Sequence, residues 1–337
     1  MTARNLAREF EDRGEYENAR RALTRYWRRI GEHPKVEGLE SSTAGEVLLR
    51  AGVVTGLIGS KDQISHAQEK AKDLISQSLT LFQSTNYRKK IAEAQTELAL
   101  CYWRTGEYDE ARVLLEETLP QLSVDNELKA KTVLRLSIVQ LEVSALDRAL
   151  RTLTDYAPLF EKINNQTLKG SYRVTLGNIL EKLWETAQHT EYLDRALVEF
   201  SAASYHFEQA EHRCYLANTE NNLALLYFTI NRYEEAHQHL DHARRVLETL
   251  RDVSGIAQVD ETRACVFSQT GPHGRSRAPC AFGGACATEG RQTRAFSGSS
   301  DNARQSVRPV ERLQGIIICI QKIDRPIRAY GKSQPRR

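Results

Sequence analysis

Hydrophobic residues between positions 3 and 271 recur with a helical period. In the stretches that begin at Leu6, Leu98 and Leu223, apolar side chains lie four residues apart, which marks one face of an α-helix. Each stretch ends at a Gly or Asn, and a second helical pattern follows it. The pattern predicts an all-α chain built from pairs of antiparallel helices.

The same residue types recur at the same offsets in these stretches. The repeated signature consists of apolar and small residues in the first helix, a turn residue, and an aromatic and an alanine in the second helix. Its positions are Leu6, Ala7, Gly14, Tyr16, Ala19, Leu98, Ala99, Tyr102, Gly106, Tyr108, Ala111, Ala149, Ala196, Leu223, Ala224, Tyr227, Tyr233 and Ala236. Internal repeats of this length are typical of arrays of stacked helix pairs.

Turns between the two helices of each unit are predicted at a regular interval of 38 to 47 residues. They lie near Gly14, Gly59, Gly106, Ser144, Trp184, Asn231 and Gly271. A single pair cannot bury its apolar face, so neighbouring pairs must stack into a continuous core. The repeated alanines are expected where two helices cross closely.

These motifs resemble the tetratricopeptide repeat. The resemblance covers about residues 3–271 and implies a right-handed α-solenoid, with a repeat array over residues 1–271. Units of about 40 residues look like those of bacterial regulator and kinesin-light-chain-type arrays. In this family the first helix of each unit lines a concave groove that binds a protein or peptide partner.

The resemblance also implies which residues face the groove. Carried onto this chain, the family's groove positions are Arg50, Glu97, Lys131, Arg135, Asn178, Asn218, Asn221 and Asn222. Asn amides can hydrogen-bond a bound backbone, and Arg can hold a carboxylate. The family's carboxylate clamp of Lys and Asn is not reproduced in order. The alternative is that each is an ordinary polar helix residue.

Candidate catalytic or metal-binding patterns are weak. The segment His237–His242, with Asp241, resembles a metal cluster, but it follows the alanine of a second helix and is expected on a solvated outer face. Cys101 and Cys265 are expected to be small core residues. No phosphate loop, nucleophile elbow or HExxH motif is present. We therefore expect no enzyme activity, no cofactor and no metal.

Composition divides the chain near Gly271. Residues 271–337 hold 13 Lys and Arg against 4 Asp and Glu, whereas residues 1–270 hold 34 against 40. If the codons for 271–281 are read one nucleotide later, they permit G-R-T-A-E-A-E-R-L-A, which is the missing second helix. Residues 272–337 are thus either a frameshift product or a true basic, disordered tail. Resequencing codons 265–337 distinguishes the two.

The remaining features narrow the class of protein. The longest late apolar run is Ile316–Ile320, too short to cross a membrane, and the first residues do not resemble a signal peptide. The irregular cysteine spacing predicts reduced thiols in the cytoplasm.

We expect a non-enzymatic scaffold that binds a protein or peptide. The alternative is the sensor portion of a transcriptional regulator that has lost its DNA-binding domain; the acidic residues 1–270 are not expected to bind nucleic acid.

Overall fold

The computed structural model describes residues 2–62 and 64–270. This part of the chain is helical and contains no β-strand. Its helices are α1 (Ala3–Asp12), α2 (Tyr16–Ala22), α3 (Ser41–Lys61), α4 (Ala67–Ser84), α5 (Arg88–Thr105), α6 (Tyr108–Thr118), α7 (Glu127–Glu142), α8 (Leu146–Asp155), α9 (Ala157–Lys162), α10 (Gln166–Ala187), α11 (Thr190–Gln209), α12 (Arg213–Thr229), α13 (Tyr233–Leu250) and α14 (Val253–Thr270). The proposed tail, 272–337, lies outside the described residues, as does the predicted turn at Gly271.

Successive helices pack as pairs, and each pair packs on the next. The pairs are α1 with α2, α3 with α4, α5 with α6, α7 with α8, α10 with α11 and α12 with α13, and α14 packs on α13. The short α9 connects α8 to α10. The predicted fold class, an α-solenoid of stacked antiparallel helix pairs, is confirmed.

Turn chemistry sets where several pairs reverse direction. Gly106 ends α5 with φ +84°, and its amide donates to the carbonyls of Tyr102 and Trp103. Ser144 and Asn231 take the same left-handed conformation, with φ +58° and +60°. All three residues lie at turns that the sequence predicts. Glycine and asparagine are favoured there because the left-handed conformation costs them little.

Two predicted turns are displaced along the chain. Gly59 and Trp184 lie inside α3 and α10, and the reversals come after them, at residues 62–66 and 188–189. Gly59 has another structural role, because a Cβ at this position would overlap the Cβ of Ala67 in α4. The glycine allows the two helices to approach, and the extra residues of these two units lengthen helices rather than turns.

Small side chains lie where helices cross. Ala111, Ala149, Ala196 and Ala236 are fully buried, one in each second helix from α6 onward. The largest core cluster extends from α7 to α12 and includes Phe200 and Phe207 of α11. First helices are buried on the faces that pack against both neighbours, and their remaining face lines the concave side.

Candidate functional site

One cavity of about 240 Å³ lies on the concave side of the array. Side chains from the first helix of five consecutive units, α3, α5, α7, α10 and α12, line it, together with the end of α1. Among the described residues, the second helices contribute to it only through Tyr16 of α2 and Phe207 of α11. The cavity is therefore built from the face of each first helix that the stacking leaves uncovered.

One half of the cavity is apolar. Leu57 of α3, Leu100 of α5 and Ile138 of α7 line it and are only partly buried, so that each has surface left to cover. Leu134 and Val174 continue this wall with buried side chains. Apolar surface of this kind favours a ligand that removes it from water.

The other half carries neutral polar groups. Ser171 and Asn178 of α10 and Tyr215 and Asn218 of α12 line it. Amide side chains offer both donors and acceptors, which is what an extended peptide backbone requires. The cavity lining thus combines apolar side chains with groups that can hydrogen-bond a ligand.

Charged residues of neighbouring first helices neutralise one another. Arg50 donates to Glu11 and to Glu93, at 2.6 Å in each case. Arg135 of α7 donates to Glu97 of α5 at 2.7 Å. These pairs join consecutive units across the concave face, and nearly all of their side-chain surface is buried.

The pKa values of the acids in these pairs reflect that arrangement. Burial alone would raise the pKa of Glu93, but Arg50 and Lys90 outweigh it and hold that pKa at about 2. Burial likewise opposes ionisation of Glu97, yet Arg135, Lys131 and Arg50 hold its pKa below the usual value. For Glu11 burial outweighs Arg50 and raises the pKa to about 7.

The turn between α1 and α2 reaches the same cavity. Asp12 accepts a hydrogen bond from Lys131 at 3.1 Å through its carboxylate, and one from the Thr167 hydroxyl at 3.2 Å through its carbonyl. Gly14, with φ +74°, packs on the ring of His212. Burial lowers the pKa of His212 to about 4, so this ring is neutral at pH 7.

The residues that the family resemblance assigned to the groove have two different placements. Five of them line the cavity: Glu97, Lys131, Arg135, Asn178 and Asn218. Arg50, Asn221 and Asn222 are buried beside it but are not part of its lining. The charged members are held by ion pairs within the chain, so they stabilise the stacking of neighbouring units.

Three contributors to the cavity are not among the residues that the resemblance assigned to the groove. Trp103 lines the cavity, and its buried indole N–H has no hydrogen-bond partner among the described residues. His212 and the turn at Asp12 also line it. The Trp103 indole could be identified as a candidate from its place near the end of a first helix. The meeting of Gly14 with His212 has no sequence signal, because the two residues are far apart in the chain.

The histidine segment of α13 forms polar and ring contacts. His239 and His242 each approach the buried carboxylate of Glu220 through Nδ1, at 2.8 and 3.0 Å, and Ser204 donates to the same carboxylate. His237 lies against Phe267. Within residues 2–62 and 64–270, no group of three or more His, Cys, Asp or Glu has a geometry that could hold a metal ion.

No helix in the described part of the chain combines the length and the apolar character that crossing a membrane requires.

Comparisons with known proteins identify the repeat. A family model described as tetratricopeptide repeat matches residues 91–120, within α5 and α6, and residues 216–251, which cover α12 and α13. A search of curated protein sequences finds no match.

A solved structure with a TM-score above 0.5 shares the architecture. The crystal structure of BtubC (BKLC) from P. vanneervenii matches with a TM-score of 0.51 and 16% identity, covering 73% of this chain and 92% of that chain. The Rap conjugation gene regulator of the plasmid pLS20, in complex with the Phr* peptide, matches with a TM-score of 0.48 and 11% identity, covering 82% and 75%. At these identities the likeness concerns the fold. Residues 91–120 and 216–251 thus match the tetratricopeptide repeat, and the helix pairs and turn residues of the structure agree with that repeat.

Proposed function

We propose that this protein is a non-enzymatic interaction scaffold that holds an extended peptide segment of a partner protein in its concave groove. The observation that carries the proposal is the row of partly buried apolar side chains Leu57, Leu100 and Ile138, one from each of three consecutive first helices. A row of this kind suits a partner that extends along the array.

The repeat spacing fits such a partner. Packed helices lie roughly 8–10 Å apart, and three residues of polyproline-type chain span about 9 Å. Side chains three apart in an extended ligand would therefore meet successive apolar positions. The amides of Asn178 and Asn218 continue along the same groove, where they would hydrogen-bond the ligand backbone.

The Trp103 indole supports the same proposal. Its N–H is buried in the cavity wall without a partner among the described residues. A buried unsatisfied donor is costly, and a carbonyl oxygen of a bound peptide would satisfy it. The cavity thus offers a donor for a peptide carbonyl and, beside it, an apolar surface for a peptide side chain.

The test is selection of peptides from a random-sequence library on the full chain, followed by affinity measurement against two variants. Ile138→Glu places a charge in the apolar half of the groove and should weaken the selected peptides at least tenfold. Val198→Glu, at an exposed position of α11 remote from the cavity lining, should leave their affinity unchanged. Selected peptides that bind the Ile138→Glu chain as tightly as the native chain would refute groove binding.

A further inference from the structure

The end of α1 and the turn after it, residues 11–14, lie against the helices that line the groove; we call this segment the turn after α1. Its residues 11–14 meet side chains of four groove helices: Arg50 of α3, Lys131 of α7, Thr167 of α10 and the α12 cap residue His212. Two of the residues that line the cavity, Glu11 and Asp12, come from this segment, and Tyr16 of α2 follows it. A segment of the chain itself thus fills part of the surface that a ligand would cover.

The two ends of this segment are held differently. Ala7, Ala19 and Leu23 are fully buried and pack with α3, which anchors the helix pair to the array. Toward the turn, the contacts are polar: Arg8 lies 3.9 Å from Glu127, and Asp12 contacts Lys131 and Thr167. Asp12 and Lys131 both keep part of their surface exposed. Polar, partly exposed contacts of this kind are weak and can exchange with those of another molecule, whereas the buried pair of Glu11 with Arg50 is the main contact that displacement has to break.

We propose that the acidic turn Glu11–Gly14 is an internal occupant of the groove, and that the partner is an acidic peptide segment that displaces it. The inference rests on the proposed function, since it concerns the ligand of the same groove. The partner supplies a carboxylate to Lys131 in place of Asp12 and presents its remaining residues to the apolar wall.

The basic residues on the concave face favour an acidic segment as the replacement for the turn. Withdrawal of the turn removes Glu11 from Arg50 and Asp12 from Lys131, while Glu93 and Glu97 stay with Arg50 and Arg135. Lys131 then lacks its ion-pair partner Asp12, and Arg50 keeps one of its two carboxylate partners, Glu93. Arg50 is buried, so the loss of one of its two carboxylates is the larger cost, and a segment that brings an acid is a better substitute for the turn than a neutral one.

Competition with a tethered segment lowers the apparent affinity of any external ligand. The tether keeps the turn at a high effective concentration, and the ligand binds the fraction of molecules in which the turn has left. A substitution that weakens the hold of the turn and leaves Lys131 and the apolar wall unchanged should therefore tighten binding of the partner. Asp12→Asn is that substitution.

The probe is a fluorescein-labelled synthetic peptide with the sequence of residues 8–16 of this chain. A matched peptide carries Gln or Asn at each acidic position. The two peptides are titrated, by fluorescence anisotropy, into the full native chain, the Asp12→Asn chain and the Asp109→Asn chain. Asp109 is an exposed acid of α6 whose ion pair with Arg112 lies away from the cavity, so its variant is the control.

The acidic peptide should bind the Asp12→Asn chain at least fivefold more tightly than the native or Asp109→Asn chain. Lys131→Gln should weaken it, and the neutral peptide should bind more weakly throughout. On binding, amide hydrogen exchange in residues 3–16 should rise. Equal affinity for the native and Asp12→Asn chains, equal binding of both peptides, no binding to the Asp12→Asn chain, or unchanged exchange in residues 3–16 would overturn the inference.

The library peptides separate this inference from the proposed function. Peptides that lose affinity for Ile138→Glu but are indifferent to Asp12→Asn would leave the groove as a binding site and refute the displaced turn. Peptides that bind the Ile138→Glu chain as tightly as the native chain would refute groove binding, whatever their affinity for the Asp12→Asn chain.

Discussion

Gly14 packs so closely on His212 that a Cβ at position 14 would lie 2.7 Å from Cε1 of the imidazole. The contact joins the first turn of the chain to the cap of α12, and it closes one side of the concave cavity. His212 is itself fixed, because its ring stacks on Tyr215 with centroids 3.9 Å apart. The turn can therefore accommodate no side chain here without moving.

Gly14→Ala should lower the free energy of unfolding by about 2–3 kcal/mol, because it adds a steric clash to the cost of a left-handed alanine. Gly38→Ala is the control, since Gly38 has φ +76° and a Cβ added there would meet no described atom within 4 Å. That control should lose only about 1 kcal/mol. Urea denaturation of both variants checks the difference, and equal losses would mean that the contact with His212 contributes nothing.

Ala111→Leu should destabilise the array by roughly 1–3 kcal/mol, because Ala111 is fully buried where α6 packs on its neighbours and the core has no room for a larger side chain. Ala264→Leu introduces the same side chain at an exposed position of α14 and should change stability little. Thermal denaturation compares the two. An unchanged Tm for Ala111→Leu would contradict the close crossing.

Arg135→Met should cost about 3 kcal/mol at pH 7, because it leaves the buried carboxylate of Glu97 without the guanidinium. The pKa of Glu97 then rises from its lowered value, because only Lys131 and Arg50 still oppose the effect of burial, so the loss should shrink as the pH falls from 8 to 5. A second substitution, Glu97→Leu, in the Arg135→Met chain removes this carboxylate and should restore most of the lost free energy of unfolding. Denaturant titrations at both pH values test this, and a loss that does not depend on pH would exclude the unpaired carboxylate as its cause.

Glu181 makes stability depend on pH near neutrality. Burial, and then Glu185, raise the pKa of Glu181 to about 7. Because the folded pKa lies above the unfolded one, the contribution of this group is complete below about pH 4.5 and is lost as the pH rises through 7. Glu181→Gln should therefore raise the free energy of unfolding by about 1–3 kcal/mol at pH 8 and by little at pH 5.

The control for this prediction is Glu208→Gln, at an exposed position of the neighbouring helix α11. In this variant the free energy of unfolding should depend on pH in the same way as in the native chain. A Glu181→Gln chain that is no more stable than the native chain at pH 8 would show that the carboxylate is not penalised by burial.

The sequence predicts the helix pairs well where a turn residue and the helical period agree. Gly106, Ser144 and Asn231 satisfy both conditions, and the structure has reversals at all three. Gly59 matches the turn pattern for another reason. In the sequence, a glycine that lets two helices pack closely looks the same as a glycine that ends a helix. Local pattern alone does not separate these two uses of the residue.

The candidate site is less predictable than the fold. The helical period indicates that Glu97 and Arg135 share the concave face, but not that they pair with each other, because that depends on how far one unit is offset from the next. The placement of Asp12 beside Lys131 depends on the path of the whole array and has no local signal. Long-range geometry, rather than residue type, therefore decides which groove positions remain open to a ligand.

Hydrogen exchange of the complex with a library-selected peptide tests the central claim most directly. If the peptide occupies the groove, the first helices α3, α5 and α7 should gain protection along the segments that contain Leu57, Leu100 and Ile138. The second helices α4, α6 and α8 should exchange as in the free chain. Protection confined to the second helices would contradict binding in the concave groove.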